Sequence, residues 1–185
     1  RRIDVTVNNN LLVLPAEKGF LAPFRAKTAP HGYLGLGKLI DATVRFAAYT
    51  DNEKVIALKK HLVEETIKTQ ERDGYIGMMA APARMWSMFD VHEMGYIIFG
   101  LTSDYHFFGE KQSLEAAQRV ADYILDRWST MPADWEKQTR DSAHMLVTGL
   151  ERSLVTLHRE TGDDRYLACC VRQRALPEWD LGIVT

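Results

Sequence analysis

The chain has 185 residues, of which 46% are hydrophobic and 26% charged, a composition typical of a globular protein with one sizeable core. Its formal net charge of −2 gives no electrostatic basis for binding nucleic acid or an anionic membrane surface. No apolar run reaches the roughly 18 residues that a membrane-spanning helix needs. The only cysteines, Cys169 and Cys170, are sequence neighbours that cannot form an ordinary disulfide with each other. Their use favours a reducing compartment, hence the cytoplasm over the periplasm or secretion.

The first part of the chain lacks a helical period. In residues 3–14, Ile3, Val5 and Val7 alternate with polar residues, and an apolar run at 11–14 precedes Pro15; this pattern predicts a short strand or an extended arm laid across the body. Residues 18–33 are rich in glycine, proline, alanine and aromatic residues, which predicts a loop. We therefore expect an N-terminal arm and loop over residues 1–33, followed by a helical domain over residues 34–185.

The rest of the chain repeats one pattern of two helices joined by a short break. The breaks lie near positions 51, 110 and 162, and each carries glycine, aspartate or asparagine. Long connections separate the repeats. The predicted helices cover residues 36–49 and 53–69, 88–108 and 113–128, and 140–160 and 165–176, with long connections at 71–86 and 129–139. The sequence thus predicts an all-α fold built from three antiparallel helical hairpins.

The third predicted helix, residues 88–108, is hydrophobic nearly all round and is expected to lie inside the assembly. Its few polar residues crowd into the first two turns. Ser87 and Asp90 have the spacing of a capping box, so the helix is expected to begin at about Met88. Gly95 would let another backbone or a ligand approach closely. These features predict a pocket-lining helix.

The hairpin geometry places the candidate site. Short turns make the paired helices antiparallel, so the long connections and the N-termini of the first, third and fifth helices share one face. Loops held by a rigid scaffold often carry function. The chemically interesting residues on this face are His31, Tyr33, Asp73, Tyr75, Trp86, Asp90, His92, Glu93 and His144.

Each of these residues has a purely structural interpretation as well. Asp90 can cap its helix, and with Glu93 it forms either a carboxylate pair of the kind glycosidases use or a solvated pair. His92 and His144 can be core histidines bonded to carbonyl groups. Tyr75 and Trp86 can anchor their loop or present a face on which a sugar ring stacks.

The cysteines do not predict a metal site. Adjacent residues on a helix point about 100° apart, and no second pair of soft ligands has a suitable spacing. A structural role is therefore predicted for Cys169 and Cys170, and no metal ligand is predicted in this chain.

Five sequence elements point to a known family. They are Ala22-Pro-Phe-Arg25, Leu36-Gly-Lys38, Thr69-Gln-Glu-Arg-Asp-Gly-Tyr-Ile-Gly77, Asp90-Val-His-Glu93 and Thr161-Gly-Asp-Asp-Arg-Tyr-Leu167. In order and spacing they resemble the N-terminal half of the catalytic domain of glycoside hydrolase family 127, the beta-L-arabinofuranosidases and their uncharacterised relatives. The resemblance covers about residues 12–176. It implies an (alpha/alpha)6 toroid with a central sugar pocket and retaining hydrolysis of arabinofuranosides or related plant or microbial glycans.

The resemblance also suggests roles for single residues. His92 falls on a family histidine that contacts the sugar, and His144 is the candidate for a second one, although it lies about one turn too early. The family's acid/base glutamate and zinc-bound cysteine nucleophile belong to the half of the domain that follows. Catalytic residues and zinc are thus expected only in the full-length protein, and Cys169 and Cys170 do not correspond to the nucleophile.

A complete toroid of this kind has six hairpins, whereas the sequence contains three. The chain is therefore expected to be a fragment of a longer protein or to close its ring through a second copy of itself. Inner residues such as Ile98, Phe99 and Leu150 would then be buried by the missing sequence or by a partner. The other expected partner is a carbohydrate substrate, with no nucleic acid or membrane.

Two functions of different class follow from the sequence. The first is a glycosidase, present here as its substrate-binding half. The second is a helical-repeat scaffold that binds a protein or an oligosaccharide without catalysis. Long loops that carry histidine and aromatic residues favour the enzyme, because a protein-binding scaffold more often carries its contacts on helix faces.

Overall fold

The computed structural model describes residues 2–138 and 143–173, without the side chains of residues 88, 136, 137, 143–148 and 173. Every regular element in these ranges is a helix, and they contain no strand. None of the helices described there is long and apolar enough to cross a membrane. The prediction of an all-α chain is confirmed.

The N-terminal segment is helical, so the strand or extended arm predicted over residues 3–14 is wrong. Helix α1 spans Arg2–Asn9. Val7 and Leu11 are buried in the core, whereas Val5 is 53% exposed. The inward-facing apolar residues are therefore four apart, which is the period of a helix, and the apparent alternation depends on a valine that faces outward.

The loop predicted over residues 18–33 is also helical in its first part. A π-helical stretch covers Ala16–Leu21 and runs directly into α2, Ala22–Ala26. Leu21 and Phe24 are fully buried, so this segment contributes to the core. The predicted boundary between an N-terminal segment and a separate helical domain stays a prediction.

The remaining helices form the three predicted hairpins, α3/α4, α5/α6 and α8/α9, with a short helix α7 before the third. Their bounds are α3 Leu36–Thr50, α4 Glu53–Lys68, α5 Met88–Phe108, α6 Lys111–Thr130, α7 Trp135–Gln138, α8 Ala143–Thr161 and α9 Asp164–Ala168. Helix α5 begins at Met88, as the sequence predicts.

The short turns repeat one local design. The residue that follows the first helix of each hairpin has a left-handed backbone conformation: Asp51 has φ 51°, Gly109 has φ 72° and Gly162 has φ 70°. This conformation ends a helix, and glycine adopts it without strain. In two of the turns the next residue caps the outer helix, since Asn52 and Asp163 each accept a hydrogen bond from a backbone N–H at 3.0 Å. The chain therefore reverses direction at each predicted break.

Two connections differ from the prediction. The connection predicted over residues 129–139 contains α7, where the Trp135 ring is buried and packs edge-on against Trp128 at 5.0 Å between centroids. The last predicted helix, residues 165–176, changes after α9 into a π-helical turn at Cys169–Gln173. The residues of that prediction beyond 173 lie outside the described part of the chain.

Helix α5 lies between α3 and α8 and also packs on its hairpin partner α6. Glycines permit the close crossings. A Cβ on Gly37 would come within 2.2 Å of the Tyr96 carbonyl carbon, and one on Gly95 would come within 3.0 Å of the Leu150 Cα. Gly95 thus admits a neighbouring helix backbone. Helices α3, α5 and α8 form an inner layer with their N-termini at one end.

Inner residues expected to need a partner are already buried by the chain itself. Ile98 and Leu150 are fully buried and Phe99 is 4% exposed. The flanking helices cover Ile98, and the Arg152 guanidinium lies 4.2 Å from the centroid of the Phe99 ring. The expectation that missing sequence or a second copy buries these residues is wrong, because three inner helices side by side suffice.

Candidate functional site

Four side chains meet where α3 and α5 begin, and we call them the His92 cluster: Tyr33, Lys38, His92 and Tyr96. The His92 ring packs edge-on against Tyr33 and Tyr96, with centroids 5.0 and 4.9 Å away. The Lys38 Nζ lies 5.1 and 4.3 Å from the centroids of the same two tyrosine rings. Lys38 is exposed and the other three are half-buried.

The cluster follows from local geometry. His92 and Tyr96 are four residues apart on α5 and therefore lie on one face, a turn apart. Lys38 occupies the first turn of α3, the helix beside α5, and Tyr33 ends the loop that leads into α3. The first turn of α3, the second and third turns of α5 and one loop thus converge on the same place.

Lys38 keeps its charge at neutral pH. Partial burial lowers the pKa of its ammonium group, but a hydrogen bond with the Tyr33 side chain and the nearby Tyr96 and Glu93 more than offset this. The net effect is a pKa above the usual value for lysine. A positive charge therefore stands beside the Tyr33 and Tyr96 rings.

Glu93 fastens the loop that carries Tyr33. Its carboxylate is fully buried and accepts hydrogen bonds from the backbone N–H groups of Leu34 at 2.7 Å, Gly35 at 2.6 Å and Gly37 at 3.0 Å. These are groups at the start of α3 that have no partner within the helix, where a carboxylate is favoured. Burial raises the pKa of Glu93 against the opposing effect of the three donors.

Asp90 fastens the second loop, residues 71–86. The Tyr75 hydroxyl donates to Asp90 at 2.8 Å and accepts from the Met79 N–H at 3.0 Å, and the Met85 N–H donates to Asp90 at 3.0 Å. Asp90 and Tyr75 are fully buried. Burial raises the pKa of the Asp90 carboxyl to about 6, although both of its hydrogen bonds lower it.

The predicted capping box is half correct. The Ser87 hydroxyl accepts from the Phe89 N–H at 3.3 Å and so caps α5. The Asp90 side chain does not complete the box, because both of its carboxylate oxygens bind groups of the long loop. Its role is to join that loop to the helix.

The outer part of the same loop is braced by charge. Arg84 donates two parallel hydrogen bonds of 2.8 Å to Glu71, and its guanidinium lies 4.0 Å from the centroid of the Tyr75 ring. Asp73 accepts from the Tyr75 N–H at 3.2 Å while its side chain stays exposed. Because hydrogen bonds hold this loop at several points, the residues that it carries are held in place.

The predicted site residues thus divide into three groups. His92 is half-buried in its cluster. Trp86, six residues before it in the sequence, is 45% exposed, and Asp73 is exposed on the loop. The other three described residues are Tyr75, Asp90 and Glu93, all fully buried and bonded to protein groups. Of the two interpretations of Tyr75, this placement agrees with the anchoring of its loop.

His144 has a different status. It falls in the first turn of α8, at the same end of the inner layer as His92. Its side chain lies outside the described part of the structure.

Lys38 is a site residue that sequence reasoning missed. The available signal was its position on the first turn of α3, at the same end of the inner layer as His92 on α5. A lone lysine in a first turn is an ordinary surface residue, and only the two tyrosine rings distinguish it.

Open cavities of about 670 and 600 Å³ lie elsewhere, around the second halves of α3 and α5. Arg45 and Phe107 line both of them. No residue of the His92 cluster lines either cavity, and neither includes a predicted site residue.

The described residues contain no group of three histidine, cysteine, aspartate or glutamate side chains that could hold a metal ion. Cys169 and Cys170 are buried beside α8, and the Cys170 thiol lies 3.8 Å from the Glu151 carbonyl oxygen. Their burial agrees with a structural role.

Comparison with known proteins identifies the family. Residues 23–174 match the family described as beta-L-arabinofuranosidase, GH127 catalytic domain. The chain belongs to this family. No curated protein matches the chain.

A solved GH127 structure has a similar fold. It is the crystal structure of Ara127N-Se, a GH127 beta-L-arabinofuranosidase from Geobacillus stearothermophilus T6, with a TM-score of 0.65 and 18% sequence identity. The similarity covers 90% of this chain and 29% of that chain. The three hairpins are therefore part of an (alpha/alpha) toroid, as the GH127 resemblance implies. The chain spans less than a third of the length of this relative.

Proposed function

We propose that this GH127 chain binds substrate for a glycoside hydrolase that acts on arabinofuranosides or related plant or microbial glycans. The observation that carries the proposal is the His92 cluster, an imidazole held between two tyrosine rings beside an exposed ammonium group. Aromatic rings with a few convergent polar groups are typical of sugar sites. Membership of GH127 supports the reaction class.

The roles of the predicted residues follow from their placement. His92 binds a sugar hydroxyl, and the exposed Trp86 ring offers a face on which a sugar unit stacks. Asp90, Glu93 and Tyr75 are positioning residues, because their polar atoms already bind the two loops. Asp73 and His144 remain candidates for contacts with more distant parts of the substrate.

The catalytic groups are proposed to lie in the part of the GH127 domain that this chain does not span. The zinc-bound cysteine that the resemblance implies is proposed to lie there as well. This chain's own contribution is to bind and orient the sugar. Polar groups in a partly desolvated pocket give specificity, since a substrate that leaves one of them unpaired binds worse.

The test is the substitution His92→Ala in the full-length protein. Loss of one hydrogen bond to the sugar is expected to lower kcat/KM for an arabinofuranoside about 5- to 150-fold, equivalent to ~1–3 kcal/mol. The melting temperature should stay nearly unchanged, because the ring is half-buried and lies outside the core. His61→Ala, an exposed histidine on α4, is the matched control.

Unaltered kinetics in His92→Ala would refute the role of His92. A large loss of stability with full activity per folded molecule would make it a structural histidine. A wild-type protein that binds arabinan without hydrolysing it would favour the helical scaffold.

A further inference from the structure

We propose that Lys38 is a second substrate-contacting residue, whose ammonium group donates hydrogen bonds to oxygen atoms of the sugar bound at His92. The inference rests on the proposed function, since it places a sugar in the His92 cluster. It adds a residue and a charge preference to that site.

The position of Lys38 is fixed by the same two rings that hold His92. Its Nζ lies 4.3 Å from the Tyr96 centroid and 5.1 Å from that of Tyr33, while the imidazole lies 4.9 and 5.0 Å from them. The ammonium and the imidazole therefore border the same two rings. A sugar bound against these rings at His92 would lie within reach of Lys38.

The hydrogen-bonding capacity of Lys38 is only partly used. An ammonium group has three hydrogen-bond donors, and among the contacts that raise the pKa of Lys38 is one with the Tyr33 side chain. Among the described residues no carboxylate forms a salt bridge with Lys38. The nearby Glu93 carboxylate is already bound by three backbone N–H groups. Lys38 is exposed, so its ammonium group is accessible to a ligand.

The charge of Lys38 predicts which ligands the site accepts. Hydroxyl and ring oxygens of a neutral sugar accept hydrogen bonds from the ammonium group, which strengthens them relative to neutral donors. A ligand of the same shape that carries a positive charge is repelled. An imino sugar of furanose size, with a protonated ring nitrogen, is such a ligand. The site should therefore discriminate against it because of Lys38.

The experiment compares Lys38→Met with wild type in the full-length protein, using an arabinofuranoside substrate and a furanose-sized imino sugar as inhibitor. Methionine keeps the length and the apolar stem, so packing on the tyrosine rings is retained. We expect kcat/KM to fall at least about fivefold, mainly through KM, as for one lost charge-assisted hydrogen bond. The imino sugar should bind at least about threefold more tightly, because the like charge is gone.

Lys38→Arg and Lys54→Met serve as controls. The arginine variant keeps the charge and should still reject the imino sugar, whereas Lys54, exposed on α4, should alter neither ligand. Changes of opposite sign for the two ligands in Lys38→Met support the inference. Unchanged kinetics, or equal weakening of both ligands, overturns it. So does a shifted pH–rate profile with unchanged KM, since Lys38 would then act through another ionisable group.

The two proposals fail in different ways. If His92→Ala lowers kcat/KM and Lys38→Met does not, only the inference about Lys38 is refuted. If the wild-type protein neither binds nor hydrolyses an arabinofuranoside, the proposed function is refuted and the inference with it.

Discussion

The hydroxyl group of Tyr75 should hold the long loop of residues 71–86 to α5, and Tyr75→Phe tests this. The substitution deletes one oxygen, which donates to the buried Asp90 carboxylate at 2.8 Å and accepts from the Met79 N–H at 3.0 Å. The Asp90 Oδ1 atom and the Met79 N–H are buried and would lose this partner, whereas Asp90 Oδ2 keeps its bond from the Met85 N–H. A lost bond to a charged group and an orphaned backbone donor together cost about 2–4 kcal/mol of unfolding free energy.

Thermal and urea unfolding, followed by far-UV circular dichroism, measure this loss. For a chain of this size the expected fall in melting temperature is roughly 5–15 °C. Tyr49→Phe is the matched control, because that side chain is 74% exposed and should change the free energy by less than about 0.5 kcal/mol. If Tyr75→Phe is as stable as Tyr49→Phe, the hydroxyl does not hold the loop and the account of Asp90 is refuted.

Burial raises the pKa of the folded Asp90 carboxyl to about 6. The value in an unfolded chain is about 3.9, so the folded state binds more protons and the free energy of unfolding falls by on the order of 2–3 kcal/mol between about pH 4 and 6. Urea titrations across this range should show that slope, and Asp90→Asn should abolish it; a slope unaltered in the variant contradicts the assignment. Gly37→Ala should destabilise the protein more than Gly95→Ala, because its Cβ would come within 2.2 Å of the Tyr96 carbonyl carbon against 3.0 Å for Gly95 and Leu150. Equal melting temperatures for the two glycine variants would show that the α3–α5 crossing is not tight.

The hairpins were predictable because their signals are local. Each short turn contains a residue suited to a left-handed conformation, Asp51, Gly109 or Gly162, directly after a helical period. Helix-ending chemistry of this kind depends on the nearest few residues and needs no knowledge of the rest of the fold. The bounds of α3, α4 and α5 accordingly agree with the sequence to within one residue.

The N-terminal segment was not predictable in the same way. Over so few residues, the two-residue period of a strand and the roughly four-residue period of a helix cannot be told apart. Val5, which faces outward, added the apolar position that suggested a strand. Only the packing of Val7 and Leu11 against the hairpins distinguishes the two periods. The structure of a short segment depends on the core against which it packs, and the segment's own sequence does not contain that information.

The site was predictable in its location and not in the roles of its members. The topology places the first turns of the inner helices at one end, and His92 is found there. Whether a polar side chain beside it faces a ligand or a loop depends on which backbone N–H groups need acceptors. Glu93 meets three such groups and Tyr75 one. That accounting requires the folded loops, so spacing alone left open a glycosidase-like carboxylate pair and a solvated pair.

The sequence Asp90-Val-His-Glu93 combines both kinds of role in a single helical turn. Successive residues on a helix turn by about 100°, so Asp90 and Glu93, three apart, lie only about 60° from each other. His92 lies about 100° from Glu93 and roughly 160° from Asp90. The two carboxylates therefore face the loops that they bind, while the imidazole faces outward between Tyr33 and Tyr96. Both loops are anchored to the same turn that presents His92. Because Tyr33 packs on His92, we expect a shift of the loop that carries Tyr33 to alter the surroundings of the imidazole without disturbing α5.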